Sequence, residues 1–416
     1  MTTTQPLRRN RDFAILWSGD AVSELGTSMS TLVLPLIGYA ITGSTAKAGI
    51  AGTAALLATL VFRLPAGALV DRRPRGRVLI TANLACVVLF GSLAAAALTH
   101  TLTLTHLVVA SALTGVAGAF SSPATSAAIR TIVPAEQRPV AYSRLEARGH
   151  AAALVGPPLG GALYSIARGL PFVVDAVSYA VAAVAVRFLR TPLPAQGRTD
   201  ANIRADIADG LRFVWTQKAV RALMTWGAIL NLAGIVVAVT VTLRLVRAGV
   251  HPATIGLVET AAATAGLIGA LLSPAIIRRA RTGWMTLVTG LIVAVVFGAL
   301  CVSTDPVVIG ALLAAGTLLL PANNAGISAY LASVVPDRMQ GRLNAAGGFV
   351  AGGLQPFGPV LAGVLLGSIG ATSTTLVGAA LVVASLVPLV TTPALMRLGP
   401  PHTWPAQVEE TVTRPG

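Results

Sequence analysis

The chain alternates between long apolar stretches and short polar segments along its whole length. A helix needs about 20 apolar residues to cross the hydrocarbon core of a bilayer, because each residue adds roughly 1.5 Å to its length. Stretches of this kind are centred near residues 27, 58, 88, 112, 153, 180, 234, 264, 292, 317, 354 and 381. The pattern therefore predicts an all-α membrane protein with twelve transmembrane helices.

An internal repeat relates the two halves of the chain. Val133-Pro134 precedes Gly156-Pro157 by 23 residues, and Val335-Pro336 precedes Gly358-Pro359 by the same number. Because each half contains an even number of predicted spans, both halves enter the membrane in the same orientation, as parallel repeats. We expect two six-helix bundles around a central cavity.

The repeat also sets the predicted domain boundaries. The two bundles comprise residues 1–190 and 221–393, a polar linker comprises residues 191–220, and a polar tail comprises residues 394–416. Apolar residues recur at helical spacing in the linker, which predicts an amphipathic helix on the membrane surface, with an ordered loop as the alternative. These residues are Ile203, Ile207, Leu211 and Val214.

The basic residues are distributed unevenly between the two sides of the membrane. The chain is 54% hydrophobic and 11% charged, with a net charge of +15. If the N-terminus is cytoplasmic, 25 of the 30 Lys and Arg residues fall in cytoplasmic segments. The positive-inside rule then predicts that both termini are cytoplasmic, in a multi-pass protein of the bacterial plasma membrane. Since topology accounts for the basic excess, we expect no nucleic-acid partner.

A charged motif ends the second predicted span. It reads GALVDRRPRGR, residues 67–77, and resembles the loop signature of the major facilitator superfamily, in particular its drug and macrolide exporters. Pro74 stands where that family often has glycine. The retained motif residues are Gly67, Leu69, Asp71, Arg72, Arg75 and Arg77.

The resemblance implies that this motif is a latch for an inner gate. Gly67 lets two helices approach closely, and Asp71 at a helix end accepts hydrogen bonds, with Arg130 as a candidate partner. The alternative for each arginine is simple anchoring at the cytoplasmic surface.

A second motif lies in the fifth predicted span. The segment LVGPPLGGALYS, residues 154–165, resembles a signature of proton-driven antiporters of the same superfamily. It keeps Gly156, Pro157, Gly160 and Gly161, although Ala152 replaces the leading glycine. Proline removes a backbone hydrogen bond and bends the helix, while glycines permit close helix contact, so we expect a segment that packs and flexes.

Two acidic residues interrupt the first span. Asp20 and Glu24 are one helical turn apart, and a charge inside a span costs at least about 2.5 kcal/mol, which favours a functional role. Arg63 in the second span lies at a similar predicted depth, so we predict an ion pair between Asp20 and Arg63. This leaves Glu24 as the predicted proton-coupling residue. The alternative is that both acids only set helix packing. The same face of the helix carries Thr27, Ser28 and Thr31.

Further polar residues lie in other spans. Glu259 in the eighth span is predicted to bind a cationic substrate or assist proton passage, or else to pair with Arg244 or Arg247. Asp175 in the sixth span is predicted to order a helix end. In the fourth span Ser111 stands near the place where many drug:proton antiporters of the family carry an arginine, so proton handling requires a different arrangement.

The resemblance implies a secondary active transporter that exports a hydrophobic or amphipathic small molecule, such as a drug or antibiotic, in exchange for protons. A metabolite importer or siderophore exporter on the same fold, and a non-transporting membrane sensor, are the alternatives. The sequence contains no H-E-x-x-H pair, aspartate-rich diphosphate site or nucleotide-binding glycine loop, so we expect no enzyme, cofactor or metal. The expected partners are the substrate, protons and lipid, with the protein as a monomer.

Overall fold

A computed structural model describes residues 7–195, 212, 214–334, 347 and 349–397. The described residues are helical apart from short connections, without strands. The predicted linker helix lies outside the described residues except at Arg212 and residues 214–216, and so does the tail beyond residue 397.

The helices follow one another closely in the chain. They are α1 (Arg11–Thr42), α2 (Thr45–Arg72), α3 (Arg75–Leu98), α4 (Leu104–Ile132), α5 (Arg138–Ile166), α6 (Leu170–Arg187), α7 (Lys218–Arg247), α8 (Pro252–Arg279), α9 (Thr282–Ala299), α10 (Pro306–Thr317), α11 (Leu320–Val334), α12 (Gly358–Ser368), α13 (Gly370–Val390) and α14 (Pro393–Arg397). Short 3-10 turns occur at Leu7–Arg9, Ala135–Gln137 and Gln355–Phe357.

Eleven helical stretches of the described residues are long and apolar enough to cross a membrane. They are Arg11–Thr42, Thr45–Arg63, Arg75–Leu98, Leu104–Ile132, Leu170–Arg187, Lys218–Arg247, Pro252–Arg279, Thr282–Ala299, Pro306–Leu331, Phe349–Ser368 and Gly370–Val390. The difference from the predicted twelve is α5, a 29-residue helix. Its first half is charged and its second half contains two prolines and several glycines, so it is less apolar than the other spans.

The chain divides into two compact units. The first comprises residues 1–200 together with 242–260, and the second comprises residues 201–241 together with 261–416. The first unit therefore includes the C-terminal end of α7 and the N-terminal end of α8. It contains helices α1 to α6 as well, and all candidate charged residues of the sequence analysis that lie before residue 261.

The core of the first unit is built mainly from α1, α3, α4 and α6. Phe90 on α3 stacks on Phe172 and on Tyr179 of α6, with ring centroids 6.3 and 5.7 Å apart. Buried Leu93 and Leu107 extend the same cluster. Aromatic stacking adds about 0.5 to 1.5 kcal/mol per pair to the burial of these rings, so α3 and α6 are held firmly together.

A polar cluster fixes the beginning of α1. The Asn10 side chain accepts a hydrogen bond from the Phe13 amide at 3.0 Å and donates one to the Ile132 carbonyl at 3.0 Å. The Asp12 carboxylate accepts hydrogen bonds from the Arg190 and Thr191 amides at 3.2 and 2.7 Å. These contacts tie α1 to the end of α4 and to the chain after α6.

Helices α2 and α4 pack with their backbones in direct contact. At Gly115 of α4, a side chain would overlap the carbonyl group of Ala55 on α2. The Thr59 hydroxyl also donates a hydrogen bond to the Gly115 carbonyl at 3.1 Å. In a bilayer, helix association depends on close packing and on such hydrogen bonds, because lipid is as apolar as the helix surface.

The core of the second unit surrounds Trp226 of α7. This indole is almost fully buried and packs in one cluster with Tyr330 of α11 and Leu386 of α13. Gly290 of α9 lies against Leu386 and the indole nitrogen, so a small residue is needed there. Residues from four helices therefore meet at one aromatic side chain.

Gly115→Ala is expected to lower the midpoint of thermal unfolding of the detergent-purified protein, because the added methyl overlaps the α2 backbone and overpacking costs about 1 to 3 kcal/mol. Gly118→Ala, in the same helix, is the matched control because open space surrounds that position. It should leave the midpoint unchanged or raise it, since alanine favours helix. Equal destabilisation by both substitutions would contradict the close packing of α2 and α4.

Candidate functional site

The two acids of α1 face an arginine of α5. Arg148 Nη1 lies 3.2 Å from Asp20 Oδ2, and Arg148 Nη2 lies 3.8 Å from Glu24 Oε2. The side chains of Arg148 and Asp20 are only 12% and 17% exposed, whereas that of Glu24 is 48% exposed. One cation is thus shared by two carboxylates, and Asp20 holds it more closely. We call these three residues the α1–α5 ion cluster.

The predicted pairing of Asp20 with Arg63 is wrong. Arg63 is exposed, and it forms no ion pair in the part of the chain that the structure describes. The prediction rested on similar depth, but depth does not determine which face of α2 the side chain occupies. The cation that pairs with Asp20 comes instead from α5.

Close packing of α5 on α1 brings Arg148 to the acids. The Trp17 indole donates a hydrogen bond to the Arg144 carbonyl at 3.1 Å. Further along, side chains at Gly156 and Gly160 would overlap Ser28 and Met29 of α1, so both glycines are needed for the helices to touch. Arg148 lies between these contacts on the same helix and is therefore directed at α1.

Sequence reasoning missed Arg148 because it was assigned to a cytoplasmic segment with other basic residues. The helical spacing offered a signal. Residues of α5 that approach α1 recur every four positions, and this face includes two glycines of the motif and the arginine two turns before them. The members of this face are Arg144, Arg148, Ala152, Gly156 and Gly160. Ser111 of α4, by contrast, is buried and carries no charge.

The same motif packs on its other side against α8. A side chain at Gly161 would overlap the carbonyl of Pro252, and one at Gly256 would overlap the backbone of Pro157 and Pro158. Helix α5 is therefore in close contact with α1 through one pair of glycines and with α8 through another. The predicted role of the motif in close packing is supported by these contacts.

A threonine of α8 supplies a hydrogen bond that the prolines inside α5 remove. Pro158 has no amide hydrogen, so the carbonyl of Leu154, four residues earlier, loses its usual helical donor. The Thr260 hydroxyl lies 2.9 Å from that carbonyl and donates to it. An orphaned carbonyl in a bilayer is costly, so this contact stabilises the bent helix and joins it to α8.

Glu259 lies beside this contact. Its Oε1 accepts a hydrogen bond from the Thr242 hydroxyl of α7 at 3.3 Å. Of the two arginines named as alternative partners, Arg247 donates a hydrogen bond to the Thr45 hydroxyl at 3.4 Å. Glu259 is thus a carboxyl next to the α5–α8 junction, and it is separate from the α1–α5 ion cluster.

The motif of residues 67–77, which spans the end of α2 and the start of α3, is described only in part. No atom of the described residues lies within 4 Å of a side chain added at Gly67. The predicted close approach of a second helix at this glycine is therefore wrong among the described residues. The Asp71 side chain lies outside the described residues, and its role as a latch with Arg130 stays a prediction. Arg72 and Arg77 are exposed, as anchoring residues would be.

Arg75 differs from the other arginines of this motif because it is buried. Its Nη1 donates to the Thr131 hydroxyl at 2.8 Å and contacts the Ala127 carbonyl at 3.5 Å. Its amide donates to the Leu193 carbonyl at 3.1 Å. Arg75 therefore connects the start of α3 to the end of α4 and to the chain after α6.

A cavity of about 270 Å³ lies in the second unit, between α7 and α11. The described residues around it are apolar or neutral and polar, without a charged side chain. They are Leu223, Met224, Trp226, Gly227, Asn231, Asn324, Ile327, Ser328, Leu331, Gly347 and Ala351. Asn231 Nδ2 donates to the Ala351 carbonyl at 3.2 Å. Such a lining suits an uncharged, partly apolar group.

Comparison with known proteins identifies the family to which the chain belongs. The profile of the Major Facilitator Superfamily matches residues 16–354, and the chain belongs to this family of membrane transporters. It is 27% identical over 380 residues to the multidrug efflux pump Tap of Mycolicibacterium fortuitum, which covers 87% of this chain and 90% of that protein. It is 25% identical over 223 residues to macrolide efflux protein A of Streptococcus pyogenes, about half of each chain (52% and 54%). The resemblance to drug and macrolide exporters is thus confirmed.

Solved structures share the fold. A bacterial homologue of the iron transporter ferroportin, in an inward-facing state, matches with a TM-score of 0.68 at 17% identity over 93% of this chain and 99% of that one. A POT family transporter in complex with 5-aminolevulinic acid matches with a TM-score of 0.72 at 11% identity over 93% of this chain and 97% of that one. At these identities the similarity concerns architecture alone.

Thr260→Val is expected to lower the midpoint of thermal unfolding, because the Leu154 carbonyl then has no donor and a net hydrogen bond is worth about 1 kcal/mol. Thr260→Ser keeps the hydroxyl and is the matched control, with a midpoint close to that of the unsubstituted protein. If valine and serine behave alike, the hydroxyl does not stabilise the kink.

Proposed function

We propose that the protein is a proton-coupled exporter of a hydrophobic or amphipathic small molecule that works by alternating access. The observation that carries this proposal is the α1–α5 ion cluster, in which Arg148 is shared by Asp20 and Glu24. Ionisable groups inside a predicted span, here Asp20 and Glu24, are costly and mark a functional site by default. The efflux proteins to which the chain is similar support the direction and the kind of substrate.

The net charge of the ion cluster favours the binding of one proton. With both carboxylates ionised, the cluster has one more negative charge than positive. Uptake of one proton makes it neutral and reduces the cost of placing it in a low-dielectric environment. Glu24 is the group that exchanges this proton, because it is half exposed and lies farther from Arg148 than Asp20 does.

The ion pair is arranged so that it can break. Arg148 Nη1 is close to Asp20, but Nη1 and Nε of this arginine have no hydrogen bond of good geometry among the described residues. An ion pair that must separate in every transport cycle separates more easily from such a contact than from a bidentate one, because the bidentate pair is stronger. Protonation of Glu24 weakens its hold on the cation, and Arg148 then pairs with Asp20 alone.

Helix α5 transmits this change. It carries Arg148 on the face that contacts α1 and the Pro157-Pro158 kink beside α8. A bent helix with one missing backbone hydrogen bond changes its angle at a lower cost than a straight one. We propose that loss of the contact between Arg148 and Glu24 shifts the first half of α5 relative to the second half, which remains packed on α8.

The topology belongs to the same proposal. We propose twelve spans with α5 as the fifth, two six-helix bundles at residues 1–190 and 221–393, cytoplasmic termini and a monomer in the bacterial plasma membrane.

The apolar and amide-lined cavity of the second unit supports a substrate that is largely apolar and carries hydrogen-bonding groups. Asp71 and the adjacent arginines act as the inner gate latch in this scheme, and Glu259 assists proton passage or binds a cationic group of the substrate.

Glu24→Gln is expected to abolish substrate uptake by inside-out membrane vesicles when a pH gradient, acidic inside, is imposed. Glutamine keeps the shape of the side chain but cannot exchange a proton. Glu146→Gln, which changes an exposed acid of α5, is the control and should transport normally. Uptake by Glu24→Gln that still follows the pH gradient would refute the coupling role, and gradient-independent uptake by the unsubstituted protein would refute antiport itself.

Arg148→Gln is expected to reduce gradient-driven uptake at least about tenfold, because loss of the cation leaves two carboxylates with uncompensated charge. Arg63→Gln is the matched control, since Arg63 forms no ion pair in the described part of the chain. If the Arg63 variant lost transport while the Arg148 variant kept it, the ion cluster would not be the coupling site. The double variant Glu24→Gln/Arg148→Gln should be no worse than Glu24→Gln alone, because the effects of residues that act as a unit are not additive.

A further inference from the structure

A second carboxyl group is buried outside the ion cluster. Asp175 of α6 has no exposed surface and lies more than one turn from the start of its helix, so its predicted role at a helix end is wrong. Its Oδ2 accepts a hydrogen bond from the Ser30 hydroxyl of α1 at 2.5 Å. The Ser178 hydroxyl lies 3.3 Å from Oδ1. The carboxyl thus bridges α1 and α6.

A glycine of α1 provides the space that the Asp175 carboxyl group occupies. At Gly26 of α1, any side chain would overlap Oδ1 of Asp175 and the Ser178 hydroxyl. The glycine, the two serines and the aspartate together form a small polar site within an otherwise apolar contact of α1 with α6. Ser178 has a single hydroxyl hydrogen and also lies 2.7 Å from the Asp175 carbonyl, so it does not fully satisfy the carboxylate.

The groups around Asp175 are acidic or neutral. On its own helix it is followed by Tyr179, whose hydroxyl lies 2.8 Å from the Thr27 hydroxyl of α1. Cys86 of α3 and Glu24 of α1 are the other titratable groups that act on Tyr179. Among the described residues no cation forms an ion pair with Asp175.

A buried carboxyl of this kind can exist in two states. Without a cation, the ionised form is costly in a bilayer. A serine hydroxyl donates to a carboxylate and accepts from a carboxylic acid, so Ser30 can serve both forms. The site is therefore able to hold a proton and to release it when α1 and α6 move apart enough to admit water.

The position of the site relates it to Glu24. Ser30 follows Glu24 by six residues, about 9 Å along α1, toward the end of the helix that is periplasmic in the proposed topology. Thr27 lies between Glu24 and Ser30 in the sequence of α1, and its hydroxyl is 2.8 Å from the hydroxyl of Tyr179. Protons that drive an exporter enter from that side.

We propose that Asp175 is a second proton-binding site, which takes up a proton from the periplasmic side and delivers it toward Glu24. This inference rests on the proposed proton coupling. In the step, the O–H bond of the Asp175 carboxylic acid breaks and an O–H bond forms on the Glu24 carboxylate, and the proton passes between them through the Thr27 and Tyr179 hydroxyls and the water that enters when α1 and α6 separate. No group is oxidised or reduced.

The first experiment is infrared difference spectroscopy of the purified protein across a change of pH, which detects protonated carboxyl groups directly. The expected result is a pH-dependent carboxylic acid band that persists in Glu24→Gln and is absent from Asp175→Asn. Ser30→Ala should shift the frequency of this band, because it removes the hydrogen bond to Oδ2 while leaving the carboxyl in place. A spectrum that is the same with Asp175→Asn, or a band that does not change with pH, would overturn the proposal.

The second experiment separates this inference from the proposed function. Asp175→Asn should reduce pH-gradient-driven uptake by inside-out vesicles while substrate exchange at equal pH on both sides continues. Loss of both activities in a variant that unfolds at the normal temperature would indicate a structural role and would overturn the proposal. If Asp175→Asn does not fold, the infrared comparison of the unsubstituted protein with Ser30→Ala still decides. Gradient-independent uptake by the unsubstituted protein would refute antiport, whereas the infrared result would still report whether Asp175 titrates.

Discussion

The close approach of α5 to its neighbours is the constraint on which the candidate site depends. Gly156 and Gly160 bring the helix against α1, and Gly161 brings it against α8. In a bilayer no hydrophobic effect drives helices together, so small residues and hydrogen bonds determine which helices touch. The contact directs Arg148 at the acids of α1. The same glycines therefore determine both the packing of the first unit and the composition of its ion cluster.

Two of the polar groups in the first unit differ in their chemistry. One group contains a cation and two carboxylates, and its net charge depends on one proton. The other contains Asp175 with serine, threonine and tyrosine hydroxyls, and the described residues bring no ion-pairing cation to it. Burial penalises a charge in either group, but only the first can offset the penalty by ion pairing. Two carboxyl sites with such different surroundings suit the stepwise movement of a proton.

Much of the fold was predictable because it depends on local properties of the chain. The apolar stretches predicted all eleven apolar spans, and the motifs at residues 67–77 and 154–165 predicted the family, which comparison confirms. Prediction was weaker at α5, because the charged first half of this helix resembles a cytoplasmic segment and Arg148 was assigned to one. It failed at Gly67 as well, since a glycine in a motif does not reveal whether another helix lies beside it.

The sequence by itself determined the membrane-spanning helices, the family and the unusual presence of Asp20 and Glu24, because the cost of a charge in a span is a property of that span alone. Only the tertiary structure decided their partner. Position along the chain gives the depth of a residue in the membrane, but an ion pair also requires neighbouring helices and matching faces. Arg63 was chosen on predicted depth alone, whereas Arg148 lies on the face of α5 that contacts α1 and pairs with Asp20. The contacts of Asp175 with Ser30, 145 residues away in the chain, were decided in the same way.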